Sequence, residues 1–279
     1  MNPRTLLETY GIDPKKSLGQ NFLHDPNALQ RIVAAATLTP DSIVLEVGPG
    51  TGALTQVLAP QAKQVVAVET DERMIPILEE TLAEFDNVTI YHADILETSI
   101  AELVGDAAYC VVANLPYYIT SAILRHLLEA DHKPTHLVLT VQQEVADRIV
   151  APPGDLSLLA VSVRFYGEAH IVTRIGSAAF WPRPDVASAV LRVDVHPKPV
   201  VEVPSEAIFF QVVRSGFGQK RKQLRNSLSA GLRCSPVQAT EILTTAGIDP
   251  MRRAETLTLE EWAVLSRSAA GSTPELFLG

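Results

Sequence analysis

The chain has few of the residues that mark secreted, membrane-spanning or disulfide-stabilised proteins. Only two of its 279 residues are cysteines, Cys110 and Cys234, which favours two buried thiols in a reducing compartment over one disulfide. No apolar run is long enough to span a bilayer, and the segment after Met1 lacks the apolar stretch of a signal peptide. We therefore expect a cytoplasmic protein with no membrane partner.

Several common catalytic and metal-binding patterns are also missing. The seven histidines are scattered, and the closest pair, His132 and His136, flanks Pro134 in a predicted loop. No cluster of cysteine and histidine has the spacing of a zinc site. Neither a Gly-x-Ser-x-Gly elbow nor a phosphate-binding loop with its lysine occurs. We expect no metal.

The net charge of −9 argues against a generally basic nucleic-acid-binding protein. Residues 1–196 hold 13 Lys and Arg against 24 Asp and Glu, whereas residues 197–279 hold 10 against 8. Positive charge is dense at Lys15-Lys16 and at 220–225, where Lys220, Arg221, Lys222 and Arg225 lie. Such runs are more often solvated helix faces, so these patches alone leave RNA binding open.

The first two thirds of the chain alternate between apolar runs that suit strands and amphipathic stretches that suit helices, which is typical of an α/β sheet. The spacing predicts helices at 28–36, from Ala53, and at 73–84, 120–130 and 142–150, and strands at 43–47, 65–69, 88–91, 109–113, 136–141, 171–175 and 188–195. Residues 156–166 fit a helix or a strand.

The remainder of the chain has no strand pattern. A proline-spaced linker, 196–204, precedes predicted helices at 205–215 and 220–231, and capping boxes begin at Ser235 and Thr258. We expect an α/β domain over residues 1–198 and a small all-α domain over residues 199–279.

A glycine turn follows the first predicted strand. The strand 43–47 runs into Gly48-Pro49-Gly50-Thr51-Gly52, and a helix starts at Ala53. Glycines here let the backbone approach a ligand at the positive end of a helix. The spacing Gly48-x-Gly50-x-x-Ala53 also satisfies the dinucleotide pattern, so by itself it cannot separate NAD from S-adenosylmethionine, or either from a turn without a ligand.

Acidic residues follow the next two predicted strands. Glu69 comes 19 positions after Gly50, where a carboxylate can accept both hydroxyls of a ribose. Asp94 can accept a hydrogen bond from an adenine amino group, although taken singly it is more typical of a turn. Together with the glycine turn, these acceptors indicate a nucleoside-binding site.

The loop Ala113–Tyr118 follows the fourth predicted strand, where open α/β sheets bind ligands. Asn114 offers an amide oxygen acceptor, Pro116 stiffens the loop and Tyr117 can stack on a planar base. A rigid turn is the alternative. A second aromatic loop, Phe180–Pro184, is a further candidate for base stacking, and a core aromatic beside a turn fits it equally.

Larger blocks of the chain match one known family in the same order: Gly19–Leu23, Glu46–Gly52, Glu69, Asp94, Asn114–Tyr117, Lys220–Leu228, Gly247–Pro250 and Arg253–Glu255. With them the chain resembles the bacterial small-subunit rRNA adenine dimethyltransferases, the KsgA/RsmA family. The resemblance implies a Rossmann-like methyltransferase sheet of seven strands, the last antiparallel, with a C-terminal helical domain that holds rRNA.

The same resemblance implies a reaction. Two methyl groups would pass from S-adenosylmethionine to N6 of each of two adjacent adenosines in the 3′-terminal hairpin of 16S rRNA, in the 30S subunit or its precursor, by a monomer with a role in subunit biogenesis. With Gly50 of the glycine turn added, it assigns cofactor contacts to Asn21, Leu23, Gly48, Gly50, Glu69, Asp94 and Asn114. RNA contacts are expected at Lys220, Arg221, Lys222 and Arg225.

The expected catalytic residues are Asn114, Leu115, Pro116, Tyr117 and Phe180. Asn114 and a loop carbonyl would accept the hydrogens of the adenine amino group, while Tyr117 and Phe180 would hold the flipped base from opposite faces. The chain departs from the family at Leu156-Ser157, where Tyr-Gly is common, and at Ala187, where an acidic residue is common.

Three alternatives stay open at this point. A 23S rRNA adenine methyltransferase of the macrolide-resistance type shares the cofactor and base loops, but the blocks 220–228 and 247–255 argue against it. An NAD-dependent oxidoreductase fits the glycine turn and leaves Asn114–Tyr117 unexplained. A non-catalytic ribosome-assembly factor would not need the acceptors at the strand ends.

Overall fold

The computed structural model describes residues 2–219, 221–272 and 274–277. By its internal contacts the chain divides into one unit of Met1–Asp147 with Glu168–Val195, and a second of Arg148–Gly167 with His196–Gly279. The sequence predicted a single boundary near residue 198. The second unit also takes in Arg148–Gly167 because the helix there packs on the C-terminal helices, with the rings of Phe165 and Phe209 stacked 4.6 Å apart.

The strands of the described residues belong to the first unit, except that the first residue of β7, Gly167, is counted with the second unit. They are β1 (Phe22–Leu23), β2 (Ile43–Val47), β3 (Gln64–Glu69), β4 (Val88–His92), β5 (Tyr109–Asn114), β6 (His136–Gln142), β7 (Gly167–Ile175), β8 (Phe180–Trp181) and β9 (Ser188–Val195).

The α-helices lie between these strands and after them. They are α1 (Pro3–Thr9), α2 (Pro26–Ala36), α3 (Thr55–Leu58), α4 (Ile75–Thr81), α5 (Ile100–Val104), α6 (Thr120–Glu129), α7 (Gln143–Val150), α8 (Leu158–Tyr166), α9 (Glu206–Phe217), α10 (Leu224–Leu232), α11 (Pro236–Thr245) and α12 (Leu259–Ser272).

Seven strands form the main sheet, in the order β4-β3-β2-β5-β6-β9-β7. Strands β2 to β6 pair in parallel, and β9 pairs antiparallel with β6. The predicted Rossmann-like sheet with an antiparallel last strand is confirmed. The order reverses beside β2, whose neighbours are β3 and β5, and ligands of open α/β sheets bind outside such a switch point.

Helix α2 illustrates how sequence pattern becomes core packing. Asp25 caps its N-terminus by accepting the N–H of Ala28 at 2.7 Å, and Pro26 fills the first turn, as predicted. Its apolar positions Leu29, Ile32, Val33 and Ala36 follow the helical repeat. They join a buried cluster whose strand members are Val44, Val65, Val112, Val138 and Val190.

The helices of the second unit begin largely as predicted. Ser235 and Gln238 form one capping box, and Thr258 and Glu261 form the other, with bonds of 2.8 to 3.2 Å. The helix expected at 220–231 begins only at Leu224. Arg221 has φ of 70°, in the left-handed region, so it cannot belong to an α-helix.

The stretch that fitted a helix or a strand is helix α8. Ser157 caps it by accepting the N–H of Ala160 at 3.1 Å, and Leu156 is buried. The departure from the family at Leu156-Ser157 therefore supplies a helix cap and a core side chain. At the other departure, Ala187 uses its backbone, accepting the N–H of Gln143 at 3.0 Å.

Both cysteines are free thiols, as expected. Cys110 is buried on β5, and its burial raises the pKa of the thiol to about 12. Cys234 is half-buried rather than buried. Among the described residues, no helix combines the length and apolarity that crossing a membrane requires.

Candidate active site

A cavity of about 300 Å³ opens at the carboxyl ends of β2, β3 and β5. This volume is typical of small-molecule sites. Ten residues predicted from the sequence line it: Asn21, Leu23, Gly48, Gly50, Glu69, Asp94, Asn114, Leu115, Pro116 and Tyr117. The fold therefore brings together positions that are as far as 96 residues apart in the chain.

The glycine turn forms the floor of the cavity. Gly48 and Gly50 have φ of 70° and 58°, a region that other residues adopt at a cost. A Cβ on Gly50 would lie 2.9 Å from Cδ1 of Phe22, closer than atoms pack. Both positions therefore need glycine. The helix predicted from Ala53 begins later, at Thr55, because the turn occupies the residues before it.

Glu69 is tied to this turn. Its Oε2 accepts the N–H of Gly50 at 3.1 Å, and its Oε1 accepts the N–H of Asp71 at 2.9 Å. Burial raises the pKa of the carboxyl, and these two hydrogen bonds oppose the shift. A carboxylate oxygen has two lone pairs, so each oxygen keeps one for a further donor.

Sequence reasoning missed the network that holds the N-terminal segment over the cavity. Asp71 accepts hydrogen bonds from Gln20 Nε2 at 2.8 Å and from Arg73 Nη2 at 2.6 Å. Arg73 Nη1 also donates to the carbonyl of Asp13 at 3.1 Å. The Arg73 guanidinium lowers the pKa of Asp71 to about 2. Only the fold brings Gln20 to Asp71, 51 positions later, so no local pattern indicates the contact.

The loop after β5 is fixed from several sides. Asn114 Nδ2 donates to the carbonyl of Asn21 at 3.1 Å, and Leu115 N donates to the carbonyl of Thr140, also at 3.1 Å. A carbonyl can only accept, so the amide nitrogen of Asn114 must face Asn21. Its Oδ1 accepts no hydrogen bond from the described residues and is available to a ligand.

Tyr117 is half-buried in the same loop. Its hydroxyl pairs with Ser188 Oγ at 2.7 Å, which anchors the ring to the start of β9. Burial raises the pKa of Tyr117, with the Ser188 contact opposing. The phenol is therefore neutral at physiological pH, and the residue can offer a ring but not a base.

Phe180 requires a correction. Its side chain does not line the cavity: it is only 3% exposed and belongs to the core cluster around α2. Strand β8 pairs with β1, opposite Leu23, and this pairing turns the ring into the core. Of the two rings that were expected to hold the base, Tyr117 lines the cavity and Phe180 does not.

Asp94 fits both of its sequence interpretations. Its Oδ1 accepts the N–H of Leu96 at 2.9 Å, the bond of a turn aspartate. The residue is exposed and lines the cavity, so its second oxygen remains available to a donor.

Glu46 is a cavity residue that belongs to the matching block Glu46–Gly52 but was given no role from the sequence. It is 1% exposed on β2, and neither its Oε2 nor the buried Oγ1 of Thr55 has a hydrogen-bond partner among the described residues. The pKa of Glu46 is raised to about 8, chiefly by burial, with the neighbouring Thr55 hydroxyl opposing the shift and the charge of Glu69 adding to it. A glutamate inside an otherwise apolar strand was the signal that could have identified it.

The expected RNA contacts lie in the second unit. Arg221 and Lys222 are exposed between α9 and α10, and Arg225 is half-buried in the first turn of α10. The Nε of Arg225 has no partner in the part of the chain that the structure describes. Lys220 lies outside the described residues.

No group of three or more histidine, cysteine, aspartate or glutamate side chains that could hold a metal occurs in residues 2–219, 221–272 and 274–277.

The similarity of this chain to known proteins agrees with the geometry of the cavity. A sequence model described as ribosomal RNA adenine dimethylase matches residues 12–270. Ribosomal RNA small subunit methyltransferase A from Dehalococcoides mccartyi (strain CBDB1) is 47% identical over 270 residues, 96% of this chain and 93% of the relative. The protein of the same name from Bacillus cytotoxicus is 46% identical over 275 residues, 95% and 94% of the two chains.

Solved structures extend the likeness to the fold. The 23S rRNA methyltransferase ErmE aligns with a TM-score of 0.69 and 29% identity, over 89% of this chain and 99% of its own. A dimethyladenosine transferase from Plasmodium falciparum aligns with a TM-score of 0.77 and 24% identity, over 90% and 98%. The second likeness concerns the fold alone.

Proposed function

Because the chain belongs to the ribosomal RNA adenine dimethylase family, we propose that it dimethylates N6 of two adjacent adenosines in the 3′-terminal hairpin of 16S rRNA. It is a methyltransferase, and S-adenosylmethionine is the proposed methyl donor. The observation that carries the proposal is that Asn114, with an unused amide oxygen, shares one cavity with the glycine turn and Glu69.

The residues of the cavity fit this donor. The free lone pairs of Glu69 suit the two ribose hydroxyls, and the second oxygen of Asp94 suits the adenine amino group. Backbone at Gly48 and Gly50 allows close approach, and Asn21 and Leu23 complete the wall. When bound, the donor supplies an electrophilic methyl group on a sulfonium.

The amide of Asn114 is suited to activating the target amine. The lone pair of an adenine amino group is delocalised into the ring, so the nitrogen is a poor nucleophile. Asn114 Oδ1 and a carbonyl of the Leu115-Pro116 backbone would accept its two hydrogens and favour a tetrahedral nitrogen. Bonding of N6 to the methyl would break the methyl–sulfur bond, leave a neutral thioether as the leaving group and release one proton from N6 to water, so positioning rather than a strong base carries the reaction.

Tyr117 would hold the flipped-out base. Its ring is half-buried and its hydroxyl is anchored on Ser188, so it offers a fixed surface for a planar base beside Asn114 within the cavity. Since Phe180 lies in the core, we propose Tyr117 alone as the stacking partner of the target adenine.

The all-α domain, residues 199–279, is proposed to hold the RNA, and residues 1–198 to carry catalysis. Arg221 and Lys222 are exposed cations on one loop, which suits phosphate contacts. We propose 16S rRNA within the 30S subunit or its precursor as the substrate. The protein would act in the cytoplasm as a monomer, and its binding to the maturing subunit would serve subunit biogenesis.

The test supplies radiolabelled S-adenosylmethionine to the protein with 30S subunits that lack the dimethyladenosines, and maps the label. We expect label on two adjacent adenosines near the 3′ end of 16S rRNA. Free 23S rRNA is offered in a parallel reaction, because the ErmE likeness makes it the closest competing substrate. Label on 23S rRNA, or on neither RNA, would overturn the proposal.

A further inference from the structure

One aromatic side chain of the cavity has no part in the proposed reaction. Tyr118 lines the cavity next to Tyr117 and is 60% exposed, more than any other aromatic side chain among the described residues. The next, Tyr91, is 37% exposed on β4 and does not line the cavity. A single exposed ring is common on protein surfaces, but this one combines its exposure with a place in the wall of the cavity, where it can meet a ligand.

The ring of Tyr118 lies against the backbone of Gly19. A Cβ placed on Gly19 would lie 3.1 Å from Cδ1 of Tyr118, 3.3 Å from its Cε1 and 3.4 Å from Cβ of Pro116. The backbone of Gly19, with φ of 59°, therefore lies against the ring. A preformed aromatic surface loses little conformational entropy when a ligand stacks on it.

Tyr117 and Tyr118 face different surroundings because they are consecutive residues of the 3₁₀ turn Tyr117–Ile119, where side chains are about 120° apart. Tyr117 is directed to Ser188 and is half-buried, whereas Tyr118 is directed to the rim. Two rings one residue apart thus offer one surface inside the site and another at its mouth.

Positive charge close to Gly19 in the chain favours a nucleic-acid strand as the occupant. Lys15 and Lys16 are exposed, and the N–H of Gly19 donates to the carbonyl of Lys16 at 3.0 Å, so the backbone that carries these cations is bonded to the residue against which the ring lies. No other exposed large apolar side chain of the described residues lines the cavity, so an apolar protein partner has no patch to bury. A ring beside cations is typical of single-stranded RNA contacts.

We propose that Tyr118 is a stacking platform for the nucleobase next to the adenine held at Asn114. The inference rests on the proposed function and names a second RNA subsite of the same cavity. For a substrate with two adjacent adenosines, the base on Tyr118 is then the other target during one of the two rounds. The ring contributes to the affinity for RNA and to the selection of the bound base. It does not contribute to the affinity for S-adenosylmethionine.

The first test measures RNA and donor affinity separately. In Tyr118→Ala, we expect the Kd and KM for a hairpin RNA containing the two adenosines to rise about 5- to 150-fold, the usual effect of removing the aromatic partner of one stacked base. Tyr118→Phe and Tyr118→Trp should retain wild-type affinity, as should Tyr91→Ala, the matched loss of an exposed tyrosine outside the cavity. The Kd for S-adenosylmethionine should change by less than about twofold.

The second test locates the base. An abasic nucleotide beside the target adenosine, on its 5′ side in one RNA and its 3′ side in another, should weaken binding to the wild type at one of the two positions. The same RNA should show no further loss with Tyr118→Ala, since interacting partners give non-additive effects. Additive losses at both positions would overturn the inference.

A purely structural role gives a different result. If Tyr118 only held Gly19 and the N-terminal segment in place, Tyr118→Ala would weaken S-adenosylmethionine binding as much as RNA binding, and Tyr118→Leu would restore both; this outcome also overturns the inference. Failure of the proposed function is recognised separately, because the wild type would then label no adenosine while RNA binding could still be measured.

Discussion

The cavity wall and the loop between α9 and α10 hold their polar side chains in opposite ways. In the cavity wall and directly behind it, Glu69, Asn114 and Asp71 are each fixed by hydrogen bonds of 2.6 to 3.1 Å. On the loop, Arg221 and Lys222 are exposed and make no ion pair among the described residues. The cavity is preorganised for one small ligand, and the loop can adapt to phosphates whose positions vary.

The comparison predicts that the largest effect comes from the most rigid position. Asn114→Ala should lower kcat for methylation of 30S subunits by at least about 100-fold, because an oriented acceptor at the reacting nitrogen is lost. Binding of S-adenosylmethionine, measured by calorimetry, should weaken by less than about tenfold. Unaltered methyl transfer would remove Asn114 from the chemistry and with it the proposed mechanism.

Substitution of Glu46 measures how much the burial of an acid in the cavity lowers the stability of the folded protein. Its pKa is about 8 in the folded protein against an ordinary 4.5, so the folded state keeps a proton that the unfolded state releases. Stability without ligand must therefore fall as pH rises from 4.5 to 8, by at most about 3 kcal/mol near pH 7. Glu46→Gln should remove this loss.

The measurement is urea unfolding of the ligand-free protein at pH 5 and pH 8. Glu46→Gln should equal the wild type within error at pH 5 and be more stable at pH 8. Glu102→Gln, on the first turn of α5 at the surface, provides the control for losing one acidic charge and should show no such divergence. A constant difference between Glu46→Gln and wild type at both pH values would contradict the buried-acid argument.

Substitutions on the loop between α9 and α10 should change the salt dependence of RNA binding rather than the rate of methyl transfer. Arg221→Ala with Lys222→Ala should weaken RNA binding about tenfold at low salt and reduce the slope of log Kd against log salt by about 2, one for each phosphate that is no longer neutralised. The rate at saturating RNA should stay at the wild-type value. A fall in kcat with an unchanged salt slope would mean that these cations do not bind phosphates.

Sequence reasoning succeeded where function follows directly from position along the chain. Glu69, Asp94 and Asn114 each stand at or just after the end of an apolar strand, so their convergence follows once the strands are parallel. It failed where the decisive contact is distant. Phe180 is turned into the core by pairing with Leu23, 157 positions earlier, and nothing local to Phe180 indicates it.

Local backbone conformation also limited how well the helices of the second unit could be predicted from the sequence. The basic stretch from Lys220 has good helix formers, and the sequence pattern predicted a helix through it. Arg221 instead has a left-handed backbone, so α10 begins at Leu224, where the backbone N–H bonds to the carbonyl of Arg252 at 2.8 Å. A bond to a residue 28 positions later decides where this helix begins, and propensity cannot report it.

The smallest expected effect tests whether the cavity wall is rigid because of its N-terminal segment. Gln20→Ala removes the bond from Gln20 Nε2 to Asp71, an acceptor that Arg73 also satisfies, so the carboxylate is not left unpaired. The same change removes the 2.7 Å bond that Gln20 Oε1 accepts from the N–H of Lys15, and together the two losses should weaken S-adenosylmethionine binding about tenfold or less, with kcat unchanged. Gln61→Ala, an exposed glutamine that bonds only the backbone of its own turn, is the matched control. If Gln20→Ala lowered kcat as much as Asn114→Ala, the segment would be positioning the amide of Asn114 through Asn21, and the preorganisation of the cavity would then begin at the N-terminal segment rather than at the strand ends.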